Sequence, residues 1–216
     1  MDILIVAAME MELGPLLETN KEASISSTEI LPLGIGILST AVNLMQRIAR
    51  KKPDLIIQTG IAGGIHEGIS LGTAYCILSE CLPEMGVQES TGYRDIFDMG
   101  FQDPNSFPFS EKRLFNPHQD LMEKTELPLA AGITVNQITT DPQQISIYQN
   151  QYKADVESME GAAVHYIALM HQIPFVQIRG ISNRVGERGT ENWKFKEAID
   201  ASIASCRRLL LKLHQS

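Results

Sequence analysis

The stretch Pro174-Phe-Val-Gln-Ile-Arg179-Gly-Ile-Ser182-Asn183 decides the fold. Val176 to Ile181 reads as a buried strand whose apolar residues carry the segment inward before a cluster of polar side chains appears. Such strands belong to parallel sheets with helices on both sides, where ligands collect at the carboxyl ends of the strands. Arg179, Ser182 and Asn183 gather at that end. The neutral amide of Asn183 can both donate and accept hydrogen bonds there. A polar turn closing the strand accounts for the same letters, since Ser and Asn are common turn residues. Taken alone, the stretch leaves site and turn open.

Working outward, other segments repeat the theme. Ile3 to Ala8 and Asp54 to Thr59 are short apolar runs of the same kind, and the second leads into the glycine-rich turn Gly60-Ile-Ala-Gly63-Gly64. Ile30 to Leu38 is a strand candidate interrupted by Pro32, Gly34 and Gly36. Ser39 or Thr40 is placed to cap a helix to about Lys51, before Pro53. Thr73 to Ser79, Ala130 to Asn136 and Val156 to Ser158 read as further strands. Asp141-Pro142 opens a helix with proline in its first turn. Glu160 to His171 and Asn192 or Trp193 to about Leu213 complete the helices. Between Glu80 and His118 the periodicity dissolves, and a loop of that length is functional or mobile. Strands alternating with helices predict an α/β fold over residues 1–216, a single domain with a twisted, mainly parallel mixed sheet flanked by helices.

Composition narrows the partners. A length of 216 residues suits one full-sized core. A net charge of −8 and a pI near 5.1 argue against nucleic-acid backbones and anionic membranes. Cys76, Cys81 and Cys206 are an odd set without metal-ligand spacing, and no secretory or membrane-spanning segment is legible, so a cytoplasmic protein is expected. The five histidines are scattered, without HxxxH spacing, and no metal site is expected. Gly34-Ile-Gly36-Ile-Leu-Ser39 imitates a dinucleotide fingerprint. Ser39 replaces its third glycine and no suitable acidic residue follows, so no nicotinamide or other cofactor is expected.

Two carboxylate clusters complete the chemistry. Ala8-Met9-Glu10-Met11-Glu12 places acids just after the first strand, where a buried carboxylate with a raised pKa can act as general base on water. Ser158-Met159-Glu160-Gly161-Ala162-Ala163 puts a carboxylate where a strand gives way to a helix, suited to a vicinal diol. Acidic residues also favour the first turn of any helix, and spacing leaves both readings open.

Together these residues resemble the purine nucleoside phosphorylase and nucleosidase superfamily. Its hydrolase branch, typified by methylthioadenosine/S-adenosylhomocysteine nucleosidases, has AMExE, a GIG turn, TGxAGG, MExxA and RxIS followed by an acid or amide. Here these are Ala8 to Glu12, Gly34 to Gly36, Thr59 to Gly64, Met159 to Ala163 and Arg179 to Asn183. The resemblance implies hydrolysis of an N-glycosidic bond to a purine, with Glu12 activating water. It implies Glu160 and Met159 on the ribose, and Ile35, Ala62, Gly63 and Ser182 lining the pocket. Asn183, with Ser182, would hold the leaving base. It also implies a homodimer. A phosphorylase would need cations beside the sugar, whereas Glu10 and Glu12 follow the first strand and no arginine precedes Arg47.

Position 183 departs from the adenine-specific nucleosidases, which carry Asp there. An amide suits a 6-oxopurine. The C-terminal pattern through Arg188 to Trp193 and Lys194 is similar to that of futalosine hydrolases of menaquinone biosynthesis, which release hypoxanthine. This resemblance implies that Arg184, Arg188, Trp193 or Lys194 receives a benzoate on the 5′ side. Trp193 is equally readable as a hydrophobic staple for the last helix. An adenine-type nucleosidase, or a nucleoside-binding protein without turnover, are the competing expectations.

Overall fold

The alternation of strands and helices is present in the computed structural model, which describes residues 1–20, 28–90, 92–187 and 189–215. Along the chain run β1 (Ile3–Ala7), α1 (Glu10–Asn20), β2 (Thr28–Pro32), α2 (Gly36–Arg50), β3 (Leu55–Gln58), β4 (Ile61–Gly64) and β5 (Ala74–Cys81). There follow β6 (Gly86–Glu89), β7 (Gly92–Asp95), β8 (Leu114–Phe115), α3 (Gln119–Thr125), β9 (Leu129–Thr134), α4 (Pro142–Asn150) and β10 (Val156–Ser158). The last elements are α5 (Gly161–Met170), β11 (Phe175–Arg184), a 3-10 turn (Thr190–Asn192) and α6 (Phe195–Gln215).

Strand β11 organises the sheet. Its first residues pair in parallel with β3, and its later ones pair in parallel with β4 and antiparallel with β5. The sheet order is β2-β1-β3-β11-β4-β10-β9-β5-β8. Because β11 meets both β4 and β5, the strands β11, β4, β10, β9 and β5 close on themselves as a small barrel. Pairings β4/β10, β5/β11 and β5/β8 are antiparallel and the other ladders of this sheet are parallel, so the sheet is mixed and mainly parallel.

The apolar runs are explained by burial on two faces. Ile3 and Ile5 of β1 pack with Ile199, Ile203 and Leu209 of α6. Leu4 and Val6 face the other way, against Leu44 and Ile48 of α2 and Val164 and Ile167 of α5. Gly180 lets α6 lie directly on β11, since a side chain there would run into the Ala198 backbone.

Four expectations are revised. Ser182 and Asn183 lie within β11, not beyond it. The glycine-rich turn is largely a strand, β4, whose glycines permit close approach: a Cβ at Gly63 would sit 2.8 Å from Val185, and one at Gly64 2.8 Å from Arg184. The strand expected over Ile30 to Leu38 ends at Pro32, and α2 begins at Gly36 rather than after Ser39 or Thr40. The stretch from Glu80 to His118 holds the β6–β7 hairpin and β8, and α3 follows it without having been anticipated. Short strands paired only locally leave little hydrophobic period to read.

Candidate active site

Glu12 sits in the first turn of α1 and is 2% exposed. Its Oε2 accepts the Met9 N–H at 2.9 Å, reaching back to the residue before the helix as the glutamate of a capping box does. Its Oε1 accepts the Ile61 N–H of β4 at 3.0 Å. The residue therefore caps the start of α1 and ties that helix to β4 through one buried carboxylate. Burial pushes the Glu12 carboxyl above the ordinary carboxylate range, against the pull of Arg179 and the two N–H donors. The nearby Glu160 charge raises it further.

Glu160 directly precedes α5 and is buried. Its Oε1 accepts the Gly36 N–H at 3.0 Å, at the start of α2, where Ile35 provides no side-chain cap. A carboxylate at that place satisfies an orphan donor and complements the helix dipole. Its Oε2 lies 3.6 Å from Arg179 Nη2. Arg179 is itself 1% exposed and donates from Nη1 to the Ile61 carbonyl at 3.3 Å. Glu12, Glu160 and Arg179 thus form a buried group with an excess of one negative charge when both acids are ionised. Such a group favours a positive charge developing beside it.

The amide of Asn183 is oriented by its backbone surroundings. Its Nδ2 donates to the Arg184 carbonyl at 2.9 Å, and a carbonyl can only accept. Its Oδ1 accepts from Ser182 Oγ at 2.8 Å. One N–H and one acceptor lone pair remain for a ligand. Ser182 Oγ also lies 3.3 Å from the Ala62 carbonyl, tying β11 to β4.

A cavity of about 270 Å³ brings these groups together. Glu12, Ile35, Ala62, Gly63, Met159, Glu160, Ser182, Asn183 and Trp193 all line it. Arg184 and Lys194 do not. Arg184 turns to the carbonyls of His66 and Glu67, and Lys194 packs its stem over Gly72. Arg188 lies outside the described residues. The cavity has no lysine or arginine among its described lining residues.

Other lining residues escaped the sequence reading. Ile61, Ile138, Glu157 and Phe195 join the wall, together with Ala8, Met9 and Ser158, which stood in the quoted motifs without a role in the site. Glu157 stands in β10 and is 6% exposed; only a charged residue inside a buried three-residue strand could have signalled it. One of its oxygens accepts the Thr139 N–H at 3.3 Å and the other has no hydrogen-bond partner. Burial raises its carboxyl, Thr139 opposes this, and Glu84 adds to the rise. Arg179 was legible as part of a polar cluster but not as the partner of Glu160. No helix among the described residues is long and apolar enough to cross a membrane.

Comparison with known proteins bears on the family of the chain. The model of the phosphorylase superfamily matches residues 2–214. A futalosine hydrolase of Thermus thermophilus is 28% identical over 187 residues, covering 83% of this chain and 80% of its own. A 5′-methylthioadenosine/S-adenosylhomocysteine nucleosidase of Haemophilus influenzae is 26% identical over 196 residues, covering 85% and 79%. The crystal structure of a nucleosidase of that name from Colwellia psychrerythraea, in complex with adenine, superposes with a TM-score of 0.82 at 21% identity, covering 97% of this chain and 94% of that one.

Proposed function

Since the chain belongs to the phosphorylase superfamily, we propose that the cavity beside Glu12, Glu160 and Asn183 cleaves a 6-oxopurine nucleoside of the futalosine type with water, releasing hypoxanthine. The protein is an N-glycosyl hydrolase of the nucleosidase kind, acting on a purine nucleoside. We read residues 1–216 as one catalytic domain. Glu12 takes a proton from water as it attacks the anomeric carbon, Glu160 holds the ribose hydroxyls with Met159 against the sugar, and the base leaves toward Asn183. The cation-like sugar that forms as the base departs is favoured by the two carboxylates. The buried pair Glu12 and Glu160 disfavours a phosphate nucleophile by like charge.

The orientation of Asn183 carries the choice of base. A leaving hypoxanthine takes the electron pair of the broken C–N bond and a proton at N7 from solvent water, and then presents one donor, N7–H, and one acceptor, O6. The free lone pair and the free N–H of Asn183 match them. A leaving adenine presents two donors, N7–H and the 6-amino group, and one of them meets an N–H. Rotating the amide would set its oxygen against the Arg184 carbonyl.

A second reading has its own support. Met9, Ile35, Trp193 and Phe195 give the cavity an apolar and aromatic flank without a cation among its described residues. That flank suits the methylthio group of methylthioadenosine, and proteins of that specificity are among the relatives above. Leu38, Val42 and Met45 of α2 and Tyr166 and Met170 of α5 are exposed beside Ile35, a face that a second copy in a homodimer would cover. The test is chromatography of free base after incubation with futalosine, inosine and methylthioadenosine, with and without phosphate. Hypoxanthine from futalosine, unaffected by phosphate, is expected. Adenine from methylthioadenosine with futalosine intact would transfer the assignment to the second reading.

A further inference from the structure

Glu160 stands at the N-cap of α5, yet its side chain makes no capping hydrogen bond to that helix. An N-cap side chain ordinarily accepts the N–H of the second or third helical residue. Here Oε1 accepts the Gly36 N–H at 3.0 Å and Oε2 faces Arg179 instead. The second helical N–H, that of Ala162, is met from outside the helix. Thr134 Oγ1, at the end of β9, accepts it at 2.7 Å. Another strand thus satisfies the first turn of α5, and the Glu160 carboxylate is left for the cavity it lines.

Glu80 of β5 holds Thr134 to this task. A hydroxyl has one proton, and Thr134 Oγ1 donates it to Glu80 Oε2 at 3.0 Å, which leaves a lone pair for Ala162. Gln177 Nε2 of β11 donates to the other oxygen, Oε1, at 2.9 Å. All three side chains are buried. Two glycines make room for the carboxylate. A Cβ at Gly132 would lie 2.6 Å from Glu80 Oε1, and one at Gly161 would collide with the same oxygen. The glycine that follows Glu160 therefore admits Glu80 to the start of the helix.

We propose that Thr134 and Glu80 are positioning residues for Glu160: they satisfy the first turn of α5 so that its N-cap carboxylate stays turned toward the sugar. The proposal rests on the nucleosidase reading, in which Glu160 holds the ribose hydroxyls. Without the Thr134 hydroxyl, the Ala162 N–H is a buried donor with no acceptor, which is costly. The N-cap carboxylate supplies the missing acceptor by turning back onto its own helix, and it then leaves Gly36 and the cavity.

The test compares Thr134→Val, which has the shape of threonine without the hydroxyl, with Thr134→Ser, which keeps it. Crystal structures of both, without nucleoside, report the Glu160 carboxylate directly. It is expected on the Ala162 N–H in the Val variant and on the Gly36 N–H in the Ser variant. The ratio of kcat/KM for futalosine and 2′-deoxyfutalosine reports its hold on the sugar, and loss of folded protein does not move that ratio. Preference for the ribonucleoside should fall roughly ten- to a hundredfold in the Val variant, the range of a hydrogen bond to a charged group, and return in the Ser variant. Glu80→Met should lower the ratio in the same direction, and Glu80→Gln, which keeps an oxygen for Thr134, should restore it. Should Thr134→Val fail to fold, Thr134→Cys, close in size and a weaker acceptor, is read in its place. A carboxylate that remains on Gly36 in the Val variant, or an unchanged ratio while futalosine is cleaved, overturns the proposal. An unchanged ratio in Glu80→Met alone removes Glu80 from it. A displaced carboxylate in a protein that never cleaves futalosine would fault the assigned reaction and leave the positioning by Thr134 standing.

Discussion

Arg179 Nη2 stands 3.6 Å from Glu160 Oε2, and both side chains are buried. The contact joins the strand at the centre of the sheet to the start of α5, and the same guanidinium pulls on Glu12. Replacement by Met should leave two buried carboxyls without their counter-charge. A loss of about 3–5 kcal/mol is expected, as for other broken buried pairs. Denaturant midpoints measure the loss. Under the proposed mechanism the acid limb of the kcat/KM profile should also move to higher pH; an unmoved limb would remove Arg179 from the control of Glu12.

Glu12→Gln should lower the rate of base release by about 10²- to 10⁴-fold, the usual share of a general base, with nucleoside binding nearly intact. In the parent protein the rate should fall as pH drops through the raised Glu12 value, since only the ionised form accepts a proton from water. Binding without cleavage by the unaltered protein would instead favour a nucleoside-binding role.

Gly60 carries a test of the crowding around Glu12. Its φ is +149°, and a Cβ there would lie 2.8 Å from both Glu12 Oε1 and Arg179 Nη1. Gly60→Ala should cost about 1–3 kcal/mol of stability through overpacking. Activity should fall further than at other destabilising sites because the carboxylate is displaced. Thermal melts paired with rate measurements separate the two effects.

Asn183→Asp places an oxygen against the Arg184 carbonyl unless the new carboxyl is protonated. A protonated acid can donate to that carbonyl while its other oxygen accepts from N7–H. The N–H now facing the 6-position is then lost. Preference for hypoxanthine over adenine as leaving group should shrink by roughly tenfold or more, the worth of one hydrogen bond. Competition between the two nucleoside types reads the ratio, and an unchanged ratio would show that position 183 does not select the base.

Glu80 is fully buried, accepts from Gln177 Nε2 at 2.9 Å and Thr134 Oγ1 at 3.0 Å, and is pushed up to about 7 by burial. An acid whose folded pKa is raised holds its proton longer in the native state, so stability falls as pH rises from about 4.5 toward about 7. At ~1.4 kcal/mol per unit the loss is a few kcal/mol at most. Glu80→Gln should flatten this slope in melts taken across that window. A slope equal to that of the parent would mean that Glu80 is not the group responsible.

Much of the fold was legible because burial on two faces leaves a direct mark in sequence. Ile3 to Ala7 and Leu55 to Ile57 are continuous apolar runs for that reason, whereas β11 carries the buried Gln177 and Arg179 among its apolar residues. Asp141 accepts the Gln143 N–H at 2.9 Å, as its place before Pro142 requires. The hairpin of β6 and β7 gave no such mark, since its strands are short and exposed. Glu12, Glu160 and Asn183 stood out as polar residues beside buried strands, and they meet in one cavity. Arg184 and Lys194 stood out equally, but a side chain's direction depends on neighbours far along the chain, here the carbonyls of His66 and Glu67 and the bare Gly72.

The sequence by itself determined the α/β class and the polar groups available at the ends of its strands, because periodicity and residue type are local properties. Tertiary structure decided which of them meet. Pairing of β10 and β11 on either side of β4 puts Glu157 and Asn183 in one row. Burial of Arg179 between Glu12 and Glu160 sets their charge balance, and the Arg184 carbonyl fixes which way the Asn183 amide faces. All but the last are contacts between residues distant in the chain, and their energies exist only once the sheet has closed.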